Sequence, residues 1–212
     1  METVLHWSDC KAQKQSETLL HLDKLRPYLS KKSKITEYAC GYGTLLNQLF
    51  QEGFTNSIGY DFSSTCIQKG KKLFSYLDLY TLQEEGKLPI PADSIDLVIL
   101  SGVLTFLVNR EEQELLLCEI ERVLSPGGVL YLSDTMICDH LYYKEKYMAA
   151  YKETEEWGLY ETPEGLGVRH HTSLWLLSLL LHFDIHWFEQ FDLKIDQEHP
   201  SRAVHCIAQY QG

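Results

Sequence analysis

The chain has 212 residues, of which 44% are hydrophobic and 23% are charged, and its formal net charge is −11. This composition is typical of a soluble globular protein, and the length suffices for one domain with a buried core. The acidic balance argues against a protein that lives on nucleic acid, because clustered Lys and Arg supply most of that affinity. We therefore predict one domain over residues 1–212.

No signal peptide opens the sequence, and its longest apolar run, residues 174–181, is too short to span a bilayer. The six cysteines form no C-x-x-C pair and lie mostly in apolar runs, which favours reduced side chains. We expect a cytoplasmic protein that does not enter a membrane.

The first part of the chain predicts a leading helix and then strands alternating with helices, as a parallel sheet requires. The helix carries Leu19, Leu20, Leu22 and Leu25, ends near Pro27 and has Trp7 as an upstream anchor. A short strand ends at residues 37–38, and a tight turn leads into a helix over 44–50. A second strand, 57–60, ends at Asp61, a helix capped by Ser63 or Ser64 follows, and a third strand lies at 76–79.

The fourth strand, residues 95–100, is almost wholly apolar, which predicts a central strand covered on both faces. A helix over 111–124 stops at residues 125–128, and the fifth strand is predicted at 129–133. A tyrosine-rich helix over 139–157 and a loop containing Pro163, Gly165 and Gly167 come next. A helix over 172–181, capped by Thr172, precedes two antiparallel strands at 185–195 and 203–210.

The turn after the first strand, in the run K-I-T-E-Y-A-C-G-Y-G of residues 34–43, predicts a ligand pocket. Gly41 and Gly43 allow a sharp turn and a close backbone approach, and the next helix points its positive end at that turn. The dinucleotide motif would need a third glycine at Leu46. Glu37 precedes the turn, where negative charge suits a cationic ligand better than a diphosphate.

These residues resemble the E-x-G-x-G-x-G signature of class I S-adenosylmethionine (SAM) dependent methyltransferases, with Ala39 at the first glycine, a position we expect to avoid positive φ. Residues 88–98 resemble the family's L-P-F-x-D-x-S-F-D-L-V segment, and residues 125–130 its L-x-P-G-G-x-L segment. The resemblance covers about residues 33–135. Within the methyltransferase family it is to the type 11-like members, which act on small molecules. It implies an α/β Rossmann-like three-layer sandwich whose seven-stranded sheet is mostly parallel with an antiparallel last strand.

The resemblance also implies SAM as cofactor, with S-adenosylhomocysteine as product. Asp61, at the end of the second strand, can accept hydrogen bonds from both ribose hydroxyls, although a helix-capping role is the structural alternative. Glu37 would lie near the methionyl amino group, and Phe62 against the adenine. The implied cofactor-binding set is Glu37, Tyr38, Ala39, Gly41, Gly43, Asp61, Phe62, Glu84, Ser101 and Gly102.

The acceptor is expected to contact a variable segment at about residues 138–172. Methyl transfer is a direct displacement that needs in-line approach, and an alcohol acceptor would also need a general base. The candidate catalytic residues are Asp134, His140 and His171, although His171 also fits a structural turn. The candidate substrate-binding residues are Tyr142, Tyr147, Tyr151, Arg169 and His170, although core packing explains half of the tyrosines.

Three functions stay open at this point. We predict methylation of an N, O or S atom of a small molecule, by a monomer or homodimer that does not bind a membrane. The acidic charge disfavours an RNA or protein acceptor without excluding it. A non-catalytic, partner-binding subunit of the same fold is the first alternative, and an NAD(P)-dependent oxidoreductase the second. No metal is expected, because a helix-to-strand junction separates His182 from His186.

Overall fold

The computed structural model describes residues 20–84, 86–163, 165–194 and 199–212. Its strands are β1 Ile35–Tyr38, β2 Ser57–Asp61, β3 Asp78–Thr81, β4 Ile95–Ser101, β5 Leu124–Met136, β6 Leu159–Glu161, β7 Gly167–Arg169, β8 Phe183–Lys194 and β9 Pro200–Tyr210. Its helices are α1 Leu22–Leu25, α2 Thr44–Gln51, α3 Ser64–Leu73, α4 Arg110–Val123, α5 Leu141–Thr154 and α6 Ser173–Leu179, with 3-10 turns at Arg26–Tyr28 and Leu104–Phe106.

Within the described residues seven strands form one sheet, in the order β3-β2-β1-β4-β5-β9-β8. The first five are parallel to one another. Strand β9 is antiparallel to both of its neighbours, so β8 runs in the same direction as the first five. The predicted α/β fold, with a mostly parallel sheet and an antiparallel last strand, is confirmed.

The two faces of the sheet carry separate apolar cores. One core joins the sheet to α1 and α2 and includes Ile67 of α3, and the other joins it to α4 and α6. Strand β4 contributes to both, because Leu97 and Ile99 face the first core while Val98 and Leu100 face the second. This position between two layers explains why the strand is almost wholly apolar.

Helix starts follow the expected capping chemistry. Ser63 caps α3 by accepting a hydrogen bond from the amide of Cys66, and Thr172 caps α6 by accepting one from Trp175. Both caps were predicted. Asn109 caps α4 in the same way, so the helix begins at Arg110, one residue before the predicted start.

Several predicted details differ from the structure. The predicted loop after α5 contains the hairpin β6–β7, whose three-residue strands are too short to leave a periodic signal. Strand β5 extends well beyond residues 129–133, and β3 begins two residues later than predicted. Cys40, Cys118, Cys138 and Cys206 are free thiols, but Cys66 is in a disulfide, so the prediction of reduced cysteines is wrong at Cys66.

The predicted leading helix is described only in part, because Leu19 and the upstream anchor Trp7 lie outside the described residues. In the described part of the chain, no helix combines the length and the apolar character needed to cross a membrane.

We predict that Gly59→Ala destabilises the fold by overpacking. A Cβ at Gly59 in β2 would lie 2.7 Å from Sγ of Cys40 and 2.8 Å from side-chain carbons of Leu46 and Leu79. Inserting a methyl group into such a contact costs about 1–3 kcal/mol. Urea unfolding followed by circular dichroism measures this cost, and an unchanged midpoint would show that α2 can move away from β2.

Candidate active site

The carboxyl ends of β1, β2 and β4 meet at one edge of the sheet. Tyr38, which ends β1, is level with Tyr60 on β2 and with Leu100 on β4. Asp61 and Ser101 therefore end their strands on either side of the turn that follows β1. Ligands of open parallel sheets bind at such an edge.

The turn at residues 39–43 reverses the chain through left-handed backbone. Ala39, Gly41 and Gly43 have φ values of 56°, 54° and 80°. The expectation that Ala39 avoids positive φ is therefore wrong, and its methyl group costs about 1–2 kcal/mol there. Gly43 is the N-cap of α2, and a Cβ at this residue would lie 3.0 Å from a side-chain carbon of Leu79.

Asp61 braces this turn. One carboxylate oxygen accepts a hydrogen bond from the amide of Gly41 at 2.8 Å, and the other accepts one from the amide of Ser63 at 2.8 Å. Burial raises the pKa of Asp61, and these two bonds oppose that rise. Each oxygen still has a free lone pair, so the side chain can both hold the turn and accept from a ligand.

Glu37 supplies a buried oxygen without a partner. Its side chain is 4% exposed, and Oε2 has no hydrogen-bond partner among the described residues. Burial, followed by the nearby charge of Asp61, raises the pKa of Glu37 well above its ordinary value, while a hydrogen bond from the amide of Leu46 lowers it. A buried orphan acceptor beside a second carboxylate fits a ligand that brings positive charge.

The other predicted cofactor residues lie around this edge at different depths. The Tyr38 hydroxyl accepts a hydrogen bond from the amide of Gly86 at 3.2 Å. Phe62 lies edge-on to Tyr38, with ring centroids 5.8 Å apart. Glu84 is exposed and forms an ion pair with Lys87. Ser101 and Gly102 are half-buried.

A separate recess of about 320 Å³ opens at the opposite end of the strands. Its lining includes Lys34, Asn56 and Ser94, which precede β1, β2 and β4, together with Pro89 and Pro91. It is therefore distant from the turn and from the carboxyl ends of the strands.

Asp134, a candidate base, holds the loop that follows β4. Its carboxylate accepts hydrogen bonds from the amides of Leu104 at 2.8 Å and Thr105 at 3.1 Å. It is 4% exposed, and burial raises its pKa to about 7. Asp134 thus ties the loop at residues 102–109, called the β4 loop below, to β5, together with the backbone hydrogen bond from Gly102 to Ser133.

The candidate histidines occupy three different environments. His171 is 1% exposed, its burial lowers its pKa to about 3, and neither ring nitrogen has a hydrogen-bond partner among the described residues. His170 is also buried, with a pKa lowered to about 3 by burial, and its nitrogens lie 2.6 Å from the Tyr147 hydroxyl and 3.3 Å from the Tyr160 hydroxyl. His140, the N-cap of α5, is half-buried, and its Nδ1 has no partner among the described residues.

Some of the remaining residues that were predicted to bind the acceptor make contacts inside the protein instead. Arg169 is 3% exposed and donates to the carbonyl of Val108. Tyr147 is fully buried, Tyr142 is half-buried, and Tyr151 is exposed. Buried hydroxyl, imidazole and aromatic groups therefore pack the inside of the acceptor segment, defined as residues 138–172, while Tyr151 remains on its surface.

Sequence reasoning missed two side chains near the β4 loop. Gln113 is fully buried on α4, and its Nε2 donates to the carbonyls of Leu104 and Leu107 at 2.9 and 2.7 Å. Glu156 binds Arg169 at 2.8 Å. A polar residue in register with the apolar positions of α4 was the available signal for Gln113, whereas Glu156 follows a helix end and gave none.

No group of three His, Cys, Asp or Glu side chains lies close enough to hold a metal ion in the ranges that the structure describes. His182 follows α6 and contacts Glu121 at 3.1 Å, while His186 lies on β8 and contacts Gln209. The two histidines therefore have different polar partners.

Comparisons with known proteins agree with this geometry. Residues 36–132 match the family described as "Methyltransferase domain". A SAM-dependent methyltransferase of Methanosarcina mazei superposes with a TM-score of 0.81 at 24% identity, covering 91% of this chain and 98% of that one. This likeness shows the fold. The chain thus has the fold of these methyltransferases, and its residues 36–132 resemble a methyltransferase domain, as its motifs predicted.

Curated relatives match over about half of this chain. The mouse tRNA N(3)-cytidine methyltransferase METTL2 is 30% identical over 118 residues, which are 51% of this chain and 30% of that protein. The Campylobacter jejuni ubiquinone/menaquinone biosynthesis C-methyltransferase UbiE is 30% identical over 110 residues, 49% of this chain and 45% of that protein. This chain therefore spans less than half the length of either relative.

We predict that Asp61→Ala weakens SAM binding and the fold together. Two buried amides would lose their acceptor, which costs about 1–3 kcal/mol, and loss of ribose contacts would weaken binding by more than about tenfold. Calorimetric titration with SAM and urea unfolding measure the two effects. Asp96→Ala is the matched control, because Asp96 accepts from the amide of Lys34 at the opposite end of β4. Unchanged SAM affinity in Asp61→Ala would contradict the assignment.

We predict that SAM binding releases a proton from Glu37. The raised pKa of Glu37 favours its protonated form in the free protein, with Asp61 and the Cys40 thiol as the titratable neighbours. A positively charged ligand favours the carboxylate, so its pKa falls on binding and affinity rises with pH through the free-protein pKa. Titrations in buffers of different ionisation enthalpy count the protons.

Glu37→Gln is the control for this count. Up to about one proton should leave the parent protein on binding, and that release should disappear in the variant. Identical heats in all buffers for the parent would refute the linkage.

Proposed function

We propose that the protein transfers a methyl group from SAM to an N, O or S atom of a small-molecule acceptor by direct in-line displacement. The observation that carries this proposal is the pair of buried carboxylates, Glu37 and Asp61, beside a left-handed turn. The pair suits a donor that is cationic at one end and carries hydroxyls. We place this activity in the cytoplasm, in a monomer or homodimer.

SAM, when bound, supplies a methyl group activated by its sulfonium, whose carbon–sulfur bond breaks as the bond to the acceptor forms, while the acceptor gives up a proton to a base or to water. Glu37 would hold the amino group, Asp61 the ribose hydroxyls and Phe62 the adenine. Ser101 and Gly102 would face the reacting end. The remaining residues assigned to the cofactor are Tyr38, Ala39, Gly41, Gly43 and Glu84.

The acceptor segment supports a small acceptor. Tyr143, Tyr147, Tyr160 and His170 pack together in its interior, with Trp157 against Tyr147. The net charge of −11 gives little attraction for a polyanion. We assign acceptor contact to the accessible aromatic side chains Tyr142 and Tyr151.

A tRNA acceptor is the second candidate, because METTL2 is named for that substrate. Two facts weigh against it: the match covers only 30% of METTL2, and the net charge of this chain is −11. The two candidates differ in a direct way: an RNA acceptor would give salt-dependent binding, since counterions are released from the phosphates. A small neutral acceptor would not.

His140 is the favoured general base for a hydroxyl acceptor. Its side chain is half-buried, with an enclosed Nδ1 that has no hydrogen-bond partner among the described residues, whereas His171 is almost fully enclosed and held neutral by its lowered pKa. Asp134 already accepts hydrogen bonds from the backbone amides of Leu104, Thr105 and Thr135. A base must reach the proton that it removes, so accessibility ranks His140 first.

The test combines ligand binding with an acceptor screen. Purified protein is titrated with SAM, S-adenosylhomocysteine and NADH, then incubated with methyl-labelled SAM and panels of small phenols, amines and thiols or with total tRNA. Micromolar binding of the adenosyl ligands and label transfer to a small molecule are expected. Transfer to tRNA would replace the acceptor class, tight NADH binding would favour an oxidoreductase, and failure to bind any of the three would favour a partner-binding subunit.

We predict that His140→Ala lowers kcat for a hydroxyl acceptor by about 10²–10⁴-fold, the usual contribution of a general base, while the SAM dissociation constant is unchanged. The matched control is His182→Ala, because His182 is an exposed histidine bonded to Glu121 of α4. Equal kcat values for the two variants would remove His140 from the mechanism.

A further inference from the structure

The β4 loop is held through its backbone by side chains from several other elements. Besides Asp134, Gln113 of α4 donates to the carbonyls of Leu104 and Leu107. Arg169 of β7 donates through Nε to the carbonyl of Val108 at 2.7 Å, and its Nη2 contacts the same oxygen. This loop begins at Gly102, directly beside the end of β4, where the proposed function puts the reacting groups.

Arg169 also links the loop to the acceptor segment in the reverse direction. Thr105 donates through Oγ1 to the backbone carbonyl of Arg169 at 2.7 Å. The guanidinium and the backbone of Arg169 therefore bind the loop through separate hydrogen bonds, one set donated to the loop and one accepted from it. An anionic acceptor would have to compete with these bonds, which favours a structural role for Arg169 over acceptor binding.

Glu156 closes the arrangement. Its Oε2 lies 2.8 Å from Nη1 of Arg169 and 3.2 Å from Nε of Arg110. Burial would raise the pKa of Glu156, but the hydrogen bond and charge of Arg169, followed by those of Arg110, keep it below its ordinary value. The carboxylate is therefore ionised at neutral pH. It neutralises the buried guanidinium of Arg169, a residue that is 3% exposed, as long as the two groups remain in contact.

Arg110 is connected to Gln113 through Trp175. The Arg110 guanidinium lies 4.7 Å from the centroid of the Trp175 ring, and Nε1 of Trp175 donates to Oε1 of Gln113 at 2.6 Å. Contacts thus run from Glu156 through Arg169 to the β4 loop, and from the loop through Gln113, Trp175 and Arg110 back to Glu156.

We propose that Glu156 and Arg169 form a latch that positions the β4 loop and the acceptor segment relative to each other for methyl transfer. The inference rests on the proposed function for its catalytic consequence, because in-line displacement tolerates little error in the placement of donor and acceptor. Both are positioning residues, since neither is assigned to the cofactor or the acceptor. Breaking the latch should loosen both segments together.

The experiment is hydrogen–deuterium exchange on the ligand-free protein, comparing the parent with Glu156→Gln and Arg169→Lys. Amides of residues 104–109 and 159–169 should exchange about tenfold faster in either variant, as expected when one charge-assisted hydrogen bond to a locally opening segment is lost. Amides of β1 and β2 should be unaffected. Glu156→Gln is the milder change if Arg169→Lys folds poorly.

Glu119→Gln is the matched control. It breaks the ion pair between Glu119 and Arg122 of α4, whose N–O distance of 2.6 Å is close to the 2.8 Å of the Glu156–Arg169 pair, and which lies away from the β4 loop. Faster exchange in residues 159–169 alone, or a uniform increase that includes β1 and β2, would overturn the latch. The readout needs no ligand, so it remains decisive even if the proposed methyl transfer fails.

With an acceptor from the screen, kcat should fall about tenfold in Glu156→Gln while the SAM dissociation constant stays within about twofold of the parent value. A variant with faster exchange but normal kcat would overturn the positioning role.

Discussion

The hydrogen bonds from the Gly41 and Ser63 amides to the Asp61 carboxylate determine the shape of the candidate cofactor site. They join the turn after β1 to the start of α3, and so fix the left-handed path that directs α2 towards the sheet edge. A single buried side chain thereby satisfies amides from two loops that would otherwise lack acceptors. The turn is already shaped in the free protein, which lowers the ordering cost when a ligand binds.

This arrangement trades stability for affinity. Because burial raises the pKa of both Glu37 and Asp61, their ionised forms destabilise the folded protein, and stability falls as pH rises above the unfolded pKa of about 4. A ligand that brings positive charge relieves the repulsion between the two carboxylates and stabilises the folded state through binding. The same carboxylates that destabilise the free site therefore strengthen its preference for a cationic donor.

The parts of the fold that could be predicted are those with local signals. Strand β4 is almost wholly apolar, Ser63 and Thr172 are N-caps, and the ends of the first two strands place Glu37 and Asp61 at one edge of a parallel sheet. The φ of Ala39 could not be predicted from its residue type, because the neighbouring Gly41 and Gly43 and the bracing by Asp61 impose a conformation that alanine alone disfavours. Hairpin β6–β7 was missed because strands of three residues leave no period to read.

The acceptor side was hardest to predict because its contacts join residues distant in sequence. Gln113 and Arg169 come from a helix and a short strand, and both donate to the backbone of one loop. Glu156, from the connection after α5, binds the guanidinium of Arg169. A charged residue such as Arg169 reads in the sequence as a ligand-binding group, yet its guanidinium is used to hold Val108. On the proposed function, we therefore expect acceptor specificity to depend on how these long-range contacts place the loop and the segment. The chemistry of a residue alone does not reveal whether it binds a ligand or holds the backbone.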